Sequence, residues 1–315
     1  MGYEETGLIT PYGLCVAAAA LAAVLLLRFL RIAAAKKYTP GDGPIAVIYK
    51  ADHLDLALWC IPFAFVFARL SYCLARFSFY FLEMGPVSVL RTWEGGFMLY
   101  GAALGAMLGA GLLAKKRCAS VAATLDEIAA PGLLAVAICR LGEWTTGEGV
   151  GAWVESQWLM RFPFAVMNEY EEWQLAVFLL EALAAVILLL VCLRVSQGKG
   201  ARILSALLMY ACCQVVLESL RMDSCLKVGF VRVSQVISAV VIFAVTAIRA
   251  WRTGGKRMMI RRAIPMLVCV GAIGIIEWAL DKTTVNNLLL YAVMIAVCIF
   301  LGTNGMRGLK HGFED

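Results

Sequence analysis

The chain has 315 residues, of which 62% are hydrophobic and only 16% are charged, and its mean hydropathy is +0.82. Soluble domains are roughly half apolar and about a quarter charged, so this composition excludes an ordinary soluble domain and predicts a polytopic membrane protein. The net charge of +6 comes from basic segments between apolar runs and does not indicate nucleic-acid binding. Residues 1–5 lack a basic region, so we expect no cleavable signal peptide.

Several apolar runs approach or exceed the roughly 20 residues that a helix needs to cross a bilayer, and nine runs are candidate spans. They lie at residues 12–29, 54–82, 96–113, 120–141, 175–193, 203–220, 233–248, 264–280 and 288–301. Between the fourth and fifth runs lies a polar segment, residues 142–172, which is rich in aromatic and acidic side chains. That mixture is typical of a partly membrane-embedded loop with interfacial anchors.

Basic residues follow alternate runs, which sets the predicted orientation. The clusters after the first, third, fifth, seventh and ninth runs include Arg28, Arg31, Lys36, Lys37, Lys115, Lys116, Arg117, Arg194, Lys199, Arg202, Arg249, Arg252, Arg262, Arg307 and Lys310. By the positive-inside rule, the N-terminus is outside and the C-terminus is cytoplasmic. The end of the fourth run then lies at the outer face of the membrane.

Several kinds of site are not indicated. The 11 cysteines form no CxxC pair and lie mostly in apolar runs, so we interpret them as small buried hydrophobic residues. Only two histidines occur, His53 and His311, on the predicted inner side or in the tail. We therefore expect neither a histidine metal site nor a cofactor, and no Walker loop or GxSxG elbow is present.

The segment Arg140–Gly151 follows the fourth run and contains one arginine, two glutamates and four glycines. Ionisable groups at membrane depth are costly and indicate a functional site. The planar fork of Arg140 suits phosphate oxygens, nearby glutamates could hold the arginine or accept a proton, and glycines permit close backbone approach. The segment predicts a lipid-phosphate site opening toward the outer leaflet; the alternative is a glycine-rich turn.

Other helices carry polar groups toward the same side of the bilayer. Gln214 and Glu218 are four residues apart and share a helix face, and Arg221 extends that face. The remaining candidates are Arg69, Tyr100 and Glu181. Two of these have plainer interpretations, because Arg69 could form a neutral pair with an acid between helices and Glu181 could make a helix-packing hydrogen bond. Small residues every fourth position, Gly101, Gly105 and Gly109, indicate close helix packing.

The Arg140–Gly151 segment resembles the signature of the bacterial prolipoprotein diacylglyceryl transferase family, usually written GRxGNFxNGExxG. The resemblance continues in register over residues 10–250. Further matching segments are Tyr12-Gly13, Arg69-Leu70-Ser71-Tyr72, Arg91-Thr92-Trp93-Glu94-Gly95-Gly96, Asp126 with Pro131, Gln174-Leu175 with Glu181, Glu218-Ser219-Leu220-Arg221-Met222-Asp223, and Ser234-Gln235.

This resemblance implies a seven-span core, residues 1–262, followed by two extra spans and a cytoplasmic tail in residues 263–315. It implies a multi-pass protein of the bacterial cytoplasmic membrane that needs no cofactor. The implied reaction moves the diacylglyceryl group of phosphatidylglycerol, or a similar anionic phospholipid, onto the lipobox cysteine thiol of a prolipoprotein signal peptide and releases glycerol phosphate.

The resemblance also implies roles for individual residues. Arg140 would hold the phosphate and stabilise charge on the departing group. Glu148 and Glu218 would position that arginine or help to deprotonate the incoming thiol, since the thiolate is the nucleophile. Tyr100 occupies the catalytic position of a family histidine. The substrate-binding candidates are Tyr12, Arg69, Glu143, Gly151, Gln214 and Arg221.

Five positions depart from the family pattern. Tyr100 replaces its histidine, Gln214 replaces a second arginine, Glu143 and Thr146 replace the signature asparagines, and Trp144 replaces its phenylalanine. The change at Gln214 removes a fixed positive charge, and Glu143 adds a negative charge beside Arg140 in the sequence. Three hypotheses follow: an active transferase in which Arg221 or Arg69 compensates, a catalytically impaired paralogue that binds lipid or lipoprotein, and a transferase or transporter for another amphiphile.

Overall fold

A computed structural model of the chain describes residues 10–37, 52–168, 170–195, 200–222, 226–228, 231–282 and 287–306. Predictions that concern residues 1–5, Lys199, Asp223, Arg307, Lys310 and His311 fall outside these ranges. Eight helical elements occur within them: α1 (Pro11–Lys37), α2 (His53–Ala75), α3 (Leu99–Lys116), α4 (Val121–Gly142), α5 (Val177–Arg194), α6 (Ala201–Leu220), α7 (Val233–Lys282) and α8 (Asn287–Met306).

Short turns and strands connect these helices. A π-helical turn, Ser78–Glu83, and three 3-10 turns, Pro86–Leu90, Thr92–Glu94 and Glu143–Thr146, lie in the described loops. Strand β1 (Ala165–Met167) pairs antiparallel with β2 (Trp173–Leu175), so that Ala165 faces Leu175. Strand β3 (Lys227–Val228) pairs antiparallel with β4 (Val231–Arg232). The predicted polar loop thus contains a small hairpin.

Seven helical segments in the described chain are long and apolar enough to cross a membrane. They are Pro11–Ala34, His53–Ala75, Val121–Thr146, Val177–Arg194, Ala201–Leu220, Val233–Arg252 and Gly254–Leu280. The prediction of an all-α multi-pass membrane protein is confirmed to that extent. The third predicted run forms α3, which is not among these seven, and the apolar part of α8, Leu289–Asn304, is a shorter helix. The total of nine spans stays a prediction.

Two predicted boundaries differ from the structure. The second apolar run continues to residue 82, but α2 ends at Ala75, where Arg76 N donates to Tyr72 O and a π-helical turn follows. The seventh and eighth runs join in one helical element, α7, which is interrupted at Gly254 and Gly255. Gly255 has φ +62, a left-handed conformation that favours glycine, so the backbone breaks there.

One compact unit comprises Met1–Gly142 and Cys192–Ile203. Within it, the glycine stripe of α3 packs directly on the backbone of α2. A Cβ at Gly101, Gly105 or Gly109 would overlap the carbonyl oxygens of Phe67, Phe63 and Trp59, respectively. The predicted packing role of these glycines is confirmed, because only hydrogen at Cα allows this approach.

Ion pairs and one hydrogen bond gather the helix termini at one end of this unit. Arg31 of α1 pairs with Glu127 of α4, and Arg117, directly after α3, pairs with Asp55 of α2. Asp126 Oδ1 accepts a hydrogen bond from Ile203 N at 2.9 Å. The C-terminal ends of α1 and α3 therefore lie at the same end as the N-terminal ends of α2 and α4.

The second compact unit comprises Glu143–Val191 and Leu204–Asp315. Its core is formed by α6, both parts of α7, and α8. The buried residues of this core are Leu208, Ala211, Cys212, Val215, Ile242, Val245, Met266, Ile273, Ile276, Met294, Cys298 and Leu301. The predicted separation into residues 1–262 and 263–315 is a different division of the chain, and it stays a prediction.

Replacing Gly105 by leucine is expected to destabilise the protein by about 1–3 kcal/mol or more, because the side chain must displace the α2 backbone. The free energy of unfolding in mixed detergent micelles measures this effect. Gly132→Leu is the matched control, since a Cβ at Gly132 meets no atom within 4 Å. Equal stability of the two variants would contradict the packing role.

Candidate functional site

Arg140 lies on the last turn of α4 and is buried, with 9% of its surface exposed. Two residues later, Gly142 lies against the start of α1. A Cβ at Gly142 would come within 2.7 Å of Cys15 Cβ and 3.3 Å of the Tyr12 ring. The close approach of α1 and α4 thus places Tyr12, half-buried, beside the end of the helix that carries Arg140.

Arg69, which is 3% exposed, donates all five of its N–H groups to backbone carbonyls. Nε donates one hydrogen bond, and Nη1 and Nη2 donate two each. The accepting carbonyls belong to Ser88, Val89, Arg91, Gly95 and Gly96. Among the described residues, the partners of Arg69 are therefore backbone carbonyls and not an acidic side chain, as the alternative from the sequence had it. The guanidinium fixes the loop that leads into α3.

Gly96 needs to be glycine for this arrangement. It has φ +77, and a Cβ there would lie 2.5 Å from the Tyr72 ring and 2.9 Å from Arg69 Nη1. Tyr100, the candidate in the histidine position, follows four residues later on the first turn of α3 and is half-buried. Arg69 thus determines the conformation of the loop that precedes Tyr100.

In the second unit, Arg221 lies between two carboxylates. Its Nη1 is 3.3 Å from Glu143 Oε2 and 3.3 Å from Glu181 Oε2. The three side chains are 8%, 9% and 1% exposed, respectively, so the ion pairs are almost fully removed from solvent. Glu181 therefore makes more than a packing hydrogen bond. The negative charge of Glu143, a departure from the family pattern, is balanced by Arg221.

Gln214 connects the same cluster to Glu218. Its Nε2 donates to Glu181 Oε1 at 3.1 Å and to Glu218 Oε2 at 2.8 Å, and Gln214 and Glu218 lie on one face of α6 as their spacing predicts. A glutamine amide satisfies both carboxylates by hydrogen bonds but supplies no positive charge.

Sequence reasoning missed Arg232 as a site residue. Its Nη1 lies 3.8 Å from Glu218 Oε1, and its Nη2 donates to the carbonyl of Arg221. Both side chains are buried, at 9% and 3% exposure. The sequence feature that could have identified Arg232 is its position directly before an apolar run. An arginine at such a position usually has a buried partner on a neighbouring helix.

The glycines of the Arg140–Gly151 segment let it lie against α5 and α6. Gly149 has φ +73, and a Cβ there would lie 2.6 Å from Glu143 Oε2 and 2.7 Å from Phe178 Cβ. Gly151 forms an antiparallel bridge with Arg221, and its Cβ would lie 2.7 Å from Leu220 O. The segment is thus a turn, and one that holds Glu143 against Arg221.

Glu148 has a different environment from Glu143. Its side chain is exposed, whereas its backbone N–H donates to Glu143 O at 3.2 Å. Three buried carboxylates, Glu143, Glu181 and Glu218, face two guanidiniums, Arg221 and Arg232. With all five groups ionised, this cluster carries excess negative charge, so it does not by itself favour an additional anion.

Among the described residues, no group of three or more His, Cys, Asp or Glu side chains is placed to hold a metal ion. The ten cysteines in the described part of the chain are free thiols, four of them buried. Cys118 is exposed, directly after α3 and Arg117, in contrast to the predicted burial of cysteines.

Replacing Arg221 by methionine is expected to destabilise the protein by about 3–5 kcal/mol, because it leaves Glu143 and Glu181 buried without their cation. The free energy of unfolding in detergent micelles is the measurement. Arg161→Met, at an exposed arginine of the polar segment, is the control. If Arg221→Met lowers the free energy of unfolding no more than Arg161→Met does, these ion pairs contribute little to stability.

Comparisons with known proteins give a consistent result. Residues 6–251 match the model of a family described as prolipoprotein diacylglyceryl transferase. A relative from Frankia alni is 35% identical over 194 residues, which cover 59% of this chain and 51% of the relative. This chain therefore matches about half the length of that relative. A relative from Bacillus mycoides is 32% identical over 225 residues, covering 68% of this chain and 82% of the relative.

A third relative, from Listeria welshimeri, is 32% identical over 197 residues, covering 60% of this chain and 70% of the relative. All three relatives are called phosphatidylglycerol--prolipoprotein diacylglyceryl transferase. These comparisons do not favour the impaired-paralogue alternative. The matched region contains every candidate site residue and ends at residue 251, within α7. The predicted resemblance is confirmed, and the chain belongs to the prolipoprotein diacylglyceryl transferase family.

Proposed function

We propose that this protein transfers the diacylglyceryl group of phosphatidylglycerol to the lipobox cysteine of a prolipoprotein signal peptide. In this reaction, the cysteine sulfur attacks the diacylglyceryl carbon bonded to the phosphate oxygen. A C–S bond forms as the C–O bond breaks, and glycerol phosphate leaves with the bonding electron pair. The thiol proton passes to a base, so the products are a thioether and glycerol phosphate.

The observation that carries the proposal is the family match over residues 6–251, which includes α4 and its buried terminal Arg140. Relatives that bear the transferase name align over as much as 82% of their own length. A cation that cannot lose its proton, buried at the end of an apolar helix, suits the phosphate of an anionic phospholipid.

We assign the phosphate role to Arg140 because it occupies the arginine position of the family signature and lies buried at the end of an apolar helix. Arg221 is balanced by two carboxylates, and Arg69 donates every N–H group to carbonyls. Arg69 still contributes its positive charge and the shape of the loop before Tyr100.

The carboxylates receive different proposed roles. Glu148 is exposed and can accept the thiol proton as the thiolate forms. Glu218 is held by Gln214 and Arg232. Its proposed role is to fix the end of α6, which Arg221 directly follows. Glu143 and Gly151 hold the turn against α5 and α6, while Tyr12 and Tyr100 line the ends of α1 and α3 as substrate-contacting side chains.

The proposed location is the bacterial cytoplasmic membrane, with the N-terminus outside and the C-terminus in the cytoplasm. In the first unit, Arg31 and Arg117 lie at one end, together with Lys115 and Lys116 on the last turn of α3. By the positive-inside rule, that end is cytoplasmic. Tyr12 and Arg140, at the other ends of α1 and α4, then lie toward the outer leaflet. Two C-terminal spans complete the proposed topology.

The native cysteine Cys118 tests this orientation, because it is exposed next to Arg117. A membrane-impermeant maleimide is expected to label Cys118 in spheroplasts only after permeabilisation, with the Cys118→Ser variant as background. A Glu155→Cys variant, at an exposed position of the polar segment, is expected to react without permeabilisation. The reverse pattern would overturn the orientation.

Transfer itself is tested with purified protein in liposomes containing phosphatidylglycerol labelled in its acyl chains, with a lipobox peptide as acceptor. Thioether-linked peptide and free glycerol phosphate are expected in equal amounts. Folded wild-type protein that binds the labelled lipid but forms no thioether would overturn the proposal in favour of a non-catalytic paralogue.

Arg140→Ala is expected to lower the transfer rate by at least about 100-fold, because it removes the donor and charge that stabilise the departing phosphate. Arg140→Lys keeps the charge but loses the planar fork, so its transfer rate is expected to lie between those of the wild-type protein and Arg140→Ala. Arg161→Ala is the exposed control. A folded Arg140→Ala variant with wild-type rate would exclude the phosphate role.

A further inference from the structure

The helices beyond the family match complete the core of the second unit. Buried residues of the second part of α7 and of α8, among them Met266, Ile273 and Met294, pack in one cluster with Leu208 and Val215 of α6. These helices follow residue 251, where the match to the family model ends. The α6 helix that carries Gln214 and Glu218 therefore packs on elements that lie outside the matched residues.

From this additional region, Glu277 reaches the site through Gln235. Gln235 Nε2 donates to Glu277 Oε1 at 2.6 Å and to Val215 O at 3.2 Å. Its Oε1 accepts a hydrogen bond from Arg232 N at 3.2 Å. The amide of Gln235 is thus fixed in one orientation, with its nitrogen toward Glu277 and its oxygen on the backbone of Arg232.

Arg232 carries this restraint to the candidate site. Its guanidinium faces Glu218 and donates to the carbonyl of Arg221. Glu218 accepts from Gln214, and Arg221 pairs with Glu143. A continuous series of polar contacts therefore joins Glu277 to the buried carboxylates of the site, entirely within the second unit.

The last helix makes a separate contact at the same end of α6. Tyr291 OH, on α8, donates to Ser219 O at 3.3 Å, one residue after Glu218. Each of the two helical segments after residue 251 thus contributes one polar side chain, Glu277 to Gln235 and Tyr291 to the backbone next to Glu218. A carboxylate in an apolar segment, such as that of Glu277, is costly unless it has a hydrogen-bond partner, and Gln235 is that partner here.

We propose that Glu277 is a positioning residue for transfer, acting through Gln235 on Arg232 and Glu218, with Tyr291 as a second anchor of the same helix end. This inference rests on the proposed transferase activity. Its physical basis is that an amide without the Glu277 acceptor can rotate, which releases Arg232 N and loosens the guanidinium that faces Glu218.

Two variants test whether Glu277 acts as the hydrogen-bond acceptor that holds Gln235: Glu277→Gln keeps an acceptor oxygen, and Glu277→Ala removes it. Glutamine keeps an oxygen acceptor for Gln235 Nε2, so Glu277→Gln is expected to stay within about threefold of the wild-type kcat. Glu277→Ala is expected to lower kcat by roughly 10- to 100-fold, with a smaller change in KM for phosphatidylglycerol, as a misplaced site would. Tyr291→Phe is expected to lower kcat less than Glu277→Ala.

The controls use folded protein in the same liposomes. Glu83→Ala removes an exposed carboxylate of the first unit and is expected to leave kcat unchanged. Unfolding temperatures of all variants establish the folded fraction. A Glu277→Ala variant with wild-type kcat per folded molecule would overturn the proposal, as would Glu277→Gln losing as much activity as Glu277→Ala.

A second readout does not depend on transfer. Hydrogen exchange of the Arg232 amide, which donates to Gln235, is expected to accelerate in Glu277→Ala and to remain slow in Glu277→Gln. If exchange accelerates in Glu277→Ala but the wild-type protein has no transfer activity, the contact between Gln235 and Arg232 depends on Glu277 as proposed. The transferase function is then refuted, and with it the catalytic role of Glu277. Unchanged exchange together with active wild-type protein would refute the positioning role alone.

Discussion

The structure of the second unit depends on the pairing of Arg221 with Glu143 and Glu181. Charges within a bilayer-spanning bundle are costly to leave alone, and a buried pair stabilises a fold only when both partners and their remaining hydrogen bonds are in place. These contacts tie the segment after α4 to α5 and to the end of α6. The conformations of Gly149 and Gly151 make room for that arrangement.

The two central arginines of the matched region are satisfied in different ways, with different electrostatic results. Arg221 is surrounded by carboxylates, which cancel its charge, whereas Arg69 is surrounded by carbonyl dipoles, which leave its net charge in place. A phosphate is attracted by net positive charge. Within the second unit, Glu143 and Glu181 neutralise Arg221, so Arg221 supplies no net charge in place of the arginine that Gln214 replaces.

The helices after residue 251 are integrated into the second unit and are more than an appended anchor. Their buried side chains belong to the same core as α6. Glu277 accepts a hydrogen bond from Gln235, which also donates to Val215 O, and Tyr291 donates to Ser219 O. In our proposal, these helices restrain the end of α6 that carries Glu218.

The sequence by itself determined the membrane class, most helix positions, the packing glycines of α3 and the family, because apolar length, spacing and ordered motifs are local properties. It also placed Gln214 and Glu218 on one face, since helical periodicity is local. Only the tertiary structure decided that Arg69 binds carbonyls, that Arg221 balances Glu143, and that Arg232 and Glu277 join the network. Such partners are far apart in the chain, and a buried charge does not specify in sequence which distant group will neutralise it.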